Sequence, residues 1–280
     1  MIPAYLNPTC LAEDVAKAVR EDVGSGDITA QLIPAEKMAT AKVFAREAAI
    51  ICGRPWVDEV FRQIAPEAKI VWQVNEGSRA APETVIFSVS GQARQLLTAE
   101  RTALNFLQAL SGIATTARHY AELVNHTDCI ILDTRKTLPG MRLAQKYAVR
   151  AGGCQNHRIG LWDAYLIKEN HISACGSIGF AVSKAKKLHP GKSVEVEVET
   201  IEQLTQALNA RADVIMLDNF DVGTMREAVR IAAGRSKLEA SGGIDDSTIV
   251  DIAETGVDFI SIGAMTKHCK AIDLSMRFSD

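Results

Sequence analysis

The sequence predicts an α/β chain in two parts, a small mixed α+β domain followed by a parallel α/β barrel, complete or open. Three observations carry this. Six short Val/Ile/Leu-rich runs (129–133, 164–168, 194–198, 214–218, 237–241 and 259–263) each precede a helical pattern. The later runs recur at roughly 21–23 residues, near the minimum for a strand–helix unit. The first third mixes strand and helix patterns without that rhythm. Near-continuous apolar strands call for a sheet covered by helices on its faces. An open doubly wound sheet is the alternative.

In chain order, residues 9–23 read as a helix N-capped by Thr9, with Leu11, Val15, Ala18 and Val19 as its apolar stripe and Gly24-Ser25-Gly26-Asp27 as its stop. Ala39, Ala41, Val43 and Ala45 alternate with other residues as a half-buried strand does. A run from Ala48 to Cys52 precedes a helix over 55–64, and strands at 69–74 and 84–90 flank the turn Asn75-Glu76-Gly77. A helix over about 92–110 carries Leu96, Leu97, Leu104, Leu107 and Leu110, with Arg101 and Asn105 one turn apart. A separate helix over roughly 114–124 leads into the first barrel strand.

The densest stretch runs from Asp133 to His171. One apolar strand ends on Asp133-Thr134-Arg135-Lys136, a glycine loop leads to Asn156-His157-Arg158, and a second strand ends on Lys168-Glu169-Asn170-His171. Strand ends of a parallel barrel converge on one mouth, where ligands bind. Cationic side chains gathered there suit a polyanionic ligand rather than a solvated face. Glu195, Glu197 and Glu199 share one side of their strand, so at least one carboxylate is expected to be buried or in the mouth, with Lys136 or Lys168 as its partner. Asp218 is delivered to the rim by four apolar residues; the plainer reading is a helix cap. Ser241-Gly242-Gly243, before a helix expected over 245–255, has the pattern of a phosphate loop, reinforced by Gly263-Ala264 at the next strand end. A tight turn would explain the glycines equally well. His157 and His171 are candidate ligand contacts, whereas His119, His126, His189 and His268 read as surface or helix-end residues. No zinc spacing is present, and two strand-end carboxylates near a phosphate loop would suit Mg²⁺.

Composition narrows the classes. The 280 residues are 47% hydrophobic and 23% charged, with a net charge of −3, which argues against broad binding to nucleic acid or to a membrane. Six cysteines without C-x-x-C pairs suit a reducing cytosol. Met1 to Leu11 lacks a basic start and an apolar core, and no apolar run reaches the length of a membrane span, so a cytoplasmic protein is expected.

The sequence resembles the quinolinate phosphoribosyltransferase family over essentially its whole length. The resemblance rests on Glu100-Arg101-Thr102-Ala103-Leu104-Asn105, Ser111-Gly112-Ile113-Ala114-Thr115, Thr134-Arg135-Lys136-Thr137, Pro139-Gly140, Asn156-His157-Arg158 and Ile167-Lys168-Glu169-Asn170-His171. It continues through Val196-Glu197-Val198, Leu217-Asp218-Asn219, Glu239-Ala240-Ser241-Gly242-Gly243 and Gly256-Val257-Asp258. It implies an N-terminal α/β sandwich over 1–112, an incomplete barrel of about six strands over 113–270, and a segment 271–280 returning to the first domain. The implied reaction joins quinolinate to phosphoribosyl pyrophosphate, with Mg²⁺, giving nicotinate mononucleotide, pyrophosphate and CO₂. The implied assembly is a homodimer, or a multiple of one, with a shared active site. By motif, Arg101 reaches into the partner's site. Arg135, His157, Arg158 and Lys168 line the carboxylate pocket, with Thr134 beside them and Lys136 between that pocket and the phosphoribosyl group. Glu197 and Asp218 hold the ribose hydroxyls and Mg²⁺, and Ser241, Gly242, Gly243, Gly263 and Ala264 cradle the 5′-phosphate.

Cys154, Leu138 and His268 depart from the family pattern without removing a charged site residue. A related branch linked to molybdenum metabolism shares the fold but differs in the carboxylate pocket, and Asn156-His157-Arg158 and Lys168 to His171 argue against it. A Schiff-base aldolase using Lys168, and a non-catalytic binder of phosphorylated metabolites, are the readings from other classes.

Overall fold

The structure, a computed structural model, describes residues 5–279; residues 1–4 of the expected first domain and residue 280 of the expected last segment lie outside the described residues. In chain order, the elements begin with α1 (Pro8–Val23), β1 (Met38–Ala45), β2 (Ala49–Ile50), α2 (Arg54–Ile64), β3 (Lys69–Trp72), β4 (Arg79–Ala80), β5 (Val85–Gln92) and α3 (Ala93–Leu123). Next come β6 (Ile130–Leu132), α4 (Arg142–Gly152), β7 (Tyr165–Ile167), α5 (Glu169–Cys175), α6 (Ile178–Leu188), β8 (Val194–Val198), α7 (Ile201–Asn209) and β9 (Val214–Asp218). The last are α8 (Val222–Ala232), β10 (Lys237–Ser241), α9 (Ile249–Ala253), β11 (Phe259–Ser261), α10 (Ala264–Lys267) and β12 (Leu274–Ser279). These elements form two compact units.

The first unit takes the chain up to Arg118, Leu138–Gly153, and everything from Met265. Its main sheet is antiparallel, in the order β12-β1-β5-β3. On β1, Ala41, Val43 and Ala45 are fully buried, the period-2 pattern of a strand with one dry face. Trp56 on α2 packs edge-on against Tyr147 of α4, ring centroids 5.2 Å apart, and stacks at 6.4 Å with Phe106 of α3.

Two expectations for this unit are corrected. Helix α1 is capped by Asn7 rather than Thr9: the Asn7 carboxamide accepts from the Cys10 N–H at 2.8 Å, and Pro8 at the first position has no N–H to strand. The helices expected over 92–110 and 114–124 are one helix of 31 residues. Ser111-Gly112 reads as a break but serves packing instead. Ser111 Oγ takes the Cys52 N–H at 2.9 Å and donates to the Cys52 carbonyl at 3.1 Å, and Thr115 Oγ1 accepts from the Ile50 N–H. A side chain at Gly112 would fall on the Lys270 carbonyl.

The second unit takes His119–Thr137 and Cys154–Ala264. Its six strands are parallel, in the order β6-β11-β10-β9-β8-β7. Because the first strand lies beside the last, this is the order of a barrel opened between β6 and β7. Gln155 makes a single bridge to Leu132 at that open edge. Val194, Val196, Val198, Ile215, Leu217 and Ile260 are fully buried, each side chain contributing about 2 kcal/mol. The alternate residues of the same strands point the other way and build the site.

Candidate active site

Residues two apart on each strand share a face, and the strand ends place one such set around a cavity of about 270 Å³. Lys168 follows β7, Glu197 lies on β8, Asp218 ends β9 and Ser241 ends β10. Thr134, Arg135 and Lys136 enter from the segment after β6, and His157 and Arg158 from the loop that borders the open edge. Leu166, Met216 and Ser261 complete the lining.

The loop is held by a residue whose role was not foreseen. Asp133 is fully buried; its carboxylate accepts from the His157 N–H at 2.9 Å and from Asn156 Nδ2 at 2.7 Å. Backbone bonds from Gln155 to Ile131 and from Asp133 to Gln155 lay the segment alongside β6. The Arg158 guanidinium donates to the Ala164 carbonyl at 3.2 Å. Burial, reinforced by repulsion from Arg135, pulls its pKa below the usual value.

The carboxylates lie among these cations. Lys168 Nζ forms an ion pair with Glu197. Burial, and then the neighbouring Glu197 charge, raise the Asp218 pKa, while Lys168 and Lys136 oppose the shift. Asn219 donates to Asp218 at 2.9 Å. Lys136 runs close over Gly263, where a Cβ would come within 2.9 Å of the lysine Cδ. Gly242, at φ 103°, leaves room for the Asn219 side chain.

Thus Thr134, Arg135, Lys136, His157, Arg158, Lys168, Glu197, Asp218 and Ser241 come together. Gly242, Gly243, Gly263 and Ala264 follow β10 and β11 without lining the cavity. The helix expected from Asp245 begins at Ile249 instead. Asp245 turns back on itself, accepting from the Ser247 N–H at 2.9 Å, so the glycine loop leads into an acidic turn rather than a helix N-terminus. Arg101 is exposed on α3 in the first unit. His171 does not line the cavity; its Nδ1 accepts from the Lys168 N–H at 3.0 Å and caps α5. His119 and His126 are exposed and pair with Asp246 and Glu254.

Beneath the cavity, His157 Nε2 lies 2.9 Å from Glu195 and 3.5 Å from Glu239, both carboxylates buried. Burial, then Glu195, push the Glu239 pKa up to about 8. The lysine partner expected for a carboxylate of this strand is found at Glu197 in the mouth, which Lys168 pairs with, while the histidine takes buried Glu195. Glu239 was missed, although a carboxylate in the middle of Lys237–Ser241, two residues from Ser241, carries the same signal as Glu195.

Two family models match the chain. The quinolinate phosphoribosyl transferase N-terminal domain matches residues 27–111, and the C-terminal domain residues 113–277. A probable carboxylating nicotinate-nucleotide pyrophosphorylase of Bacillus subtilis is 42% identical over 91% of this chain and 89% of its own length. The carboxylating nicotinate-nucleotide pyrophosphorylase of Mycobacterium leprae is 39% identical over 94% of this chain and 95% of its own. The solved nicotinate-nucleotide pyrophosphorylase of Francisella tularensis superposes with a TM-score of 0.96 at 50% identity, covering 98% of both chains. The chain belongs to the quinolinate phosphoribosyltransferase family.

Proposed function

We propose that this protein transfers the phosphoribosyl group of phosphoribosyl pyrophosphate to quinolinate with loss of CO₂, forming nicotinate mononucleotide and pyrophosphate for NAD synthesis. The observation that carries this is the cavity that brings Arg135, Arg158 and Lys168 together with Glu197 and Asp218, in a chain of this family.

Quinolinate brings two carboxylates, which the arginine pair and Lys168 match in charge. The ring nitrogen attacks C1 of the ribose as the bond to pyrophosphate breaks, and positive charge builds on the ribose. Glu197 and Asp218 stabilise that charge and bind the ribose hydroxyls. Lys136 faces the ribosyl donor. Once alkylated, the pyridinium accepts the electron pair released when the 2-carboxylate leaves as CO₂, and the ring carbon takes a proton. No side chain need act as a general base, so the site works by positioning and charge.

Glu197 and Asp218 also fit Mg²⁺. They are hard oxygen donors near enough that one raises the other's pKa, and a divalent cation held largely through water would relieve that repulsion. Bound there, Mg²⁺ supplies neutralisation of the departing pyrophosphate. Ser241, Gly242, Gly243, Gly263 and Ala264 are the proposed 5′-phosphate cradle, offering backbone N–H groups and the Ser241 hydroxyl. Arg101, exposed on α3, is proposed to complete the site of a second subunit in a homodimer. Free cysteines suit the cytosol, and among the described residues no helix is long and apolar enough to cross a membrane.

The test incubates the protein with phosphoribosyl pyrophosphate, Mg²⁺ and either quinolinate or nicotinate. Nicotinate mononucleotide from quinolinate, with nicotinate at least tenfold poorer, is expected. Equal use of nicotinate, or no product from folded protein, contradicts the reading.

A further inference from the structure

His157 borders the cavity, and a histidine among arginines is naturally read as one more cation for the substrate. Its hydrogen bonds argue otherwise. The Arg158 N–H donates to Nδ1 at 2.7 Å, which requires an unprotonated lone pair there. Nε2 lies 2.9 Å from Glu195 Oε2, where it must carry a proton and donate. In this ring orientation both nitrogens have a partner. An imidazolium would set the Nδ1–H against the Arg158 N–H, and two donors do not face each other at that distance.

We propose, within the reading of the reaction given above, that His157 is a neutral positioning residue rather than a ligand of the substrate carboxylates. It spans from buried Glu195 to the Arg158 backbone and so fixes where the Arg158 guanidinium enters the cavity.

The surrounding groups agree. The Asp133 carboxylate takes the His157 N–H, so the residue is held at its backbone and at both ring nitrogens. A neutral Glu239, the form burial favours, leaves Glu195 as the acceptor for Nε2–H without adding a second charge beside the ring. The substrate's negative charge is then met by Arg135, Arg158 and Lys168.

Two measurements test this. Nitrogen NMR of ¹⁵N-histidine-labelled wild-type protein reads the tautomer directly, with the His157 signals assigned by their loss in His157→Gln. Should that variant not fold, single replacement of each of the other five histidines assigns them by elimination. One protonated and one bare nitrogen at pH 7, unchanged when quinolinate binds, is expected; a doubly protonated ring in the complex overturns the proposal. In kinetics, His157→Leu is expected to raise the quinolinate KM at least tenfold with a smaller change in kcat. His157→Gln, which restores a neutral donor toward Glu195, should recover most of that loss. A glutamine variant as impaired as the leucine one would mean that the charge is needed. Nicotinate mononucleotide formation by wild-type protein separates the two claims: without it the reaction is wrong, and with it only the role of His157 is at issue.

Discussion

Among the cavity's side chains, Arg158 combines partial burial, a carbonyl anchor and a second arginine nearby, so its guanidinium meets a carboxylate with little reorganisation. Removing such a charged hydrogen bond costs about 2 kcal/mol, or roughly thirtyfold in affinity. Arg158→Ala is therefore expected to raise the quinolinate KM by about that factor while leaving the phosphoribosyl pyrophosphate KM within a few-fold. Arg158→Lys should recover little, because a lysine cannot offer the fork. Glu239 gives a second prediction. Its carboxyl is raised from 4.5 to about 8, so the folded state holds its proton more tightly and stability from this group falls as pH rises between those values. Glu239→Gln abolishes that dependence. Its Tm, relative to wild type, should climb from pH 5 to pH 8; parallel curves would show that Glu239 does not titrate there. The charged residues of the mouth were legible because each sits just where an apolar strand stops. Asp133, Glu195 and Glu239 were harder to assign, since their roles depend on which loop and which strand lie opposite, and strand pairing is not written in local pattern.

At the scale of elements, the conspicuous error was to divide α3 at Gly112. Glycine weakens a helix interior by about 1 kcal/mol, so a stop there is the natural reading. The long-range approach of the Lys270 backbone decides otherwise. Gly112→Ala gains that propensity but forces backbone apart, at about 3 kcal/mol. A Tm lower by about 5 °C is expected. Gly179→Ala on α6, where nothing lies within 4 Å of an added Cβ, should instead stabilise by about 0.5 kcal/mol. Equal effects at the two sites would refute the packing argument. The short α9 misled for the opposite reason: Asp245 and its neighbours favour an Asx-type turn over a first helical turn, and their acidity reads equally as either.

For the molecule as a whole, the regular strand–helix spacing predicts a parallel sheet covered by helices and leaves a barrel and an open doubly wound sheet as alternatives; the order β6-β11-β10-β9-β8-β7 decides for a barrel opened between β6 and β7. That opening admits the loop carrying His157 and Arg158. With Arg101 exposed in the other unit, the proposed dimer makes a prediction about pairs of chains. Arg101→Ala and Arg158→Ala subunits, each impaired alone, should regain activity when mixed, approaching one intact site per mixed dimer; proven subunit exchange without recovery refutes a shared site. The central claim is that one site couples transfer of the ribosyl group to loss of the 2-carboxylate. Its most direct measurement follows quinolinate labelled with ¹³C at the 2-carboxylate, counting pyrophosphate, labelled CO₂ and nicotinate mononucleotide together. Equal amounts of all three, with no label left in the nucleotide, are predicted. Pyrophosphate released without CO₂, or a nucleotide that keeps the label, would contradict the account.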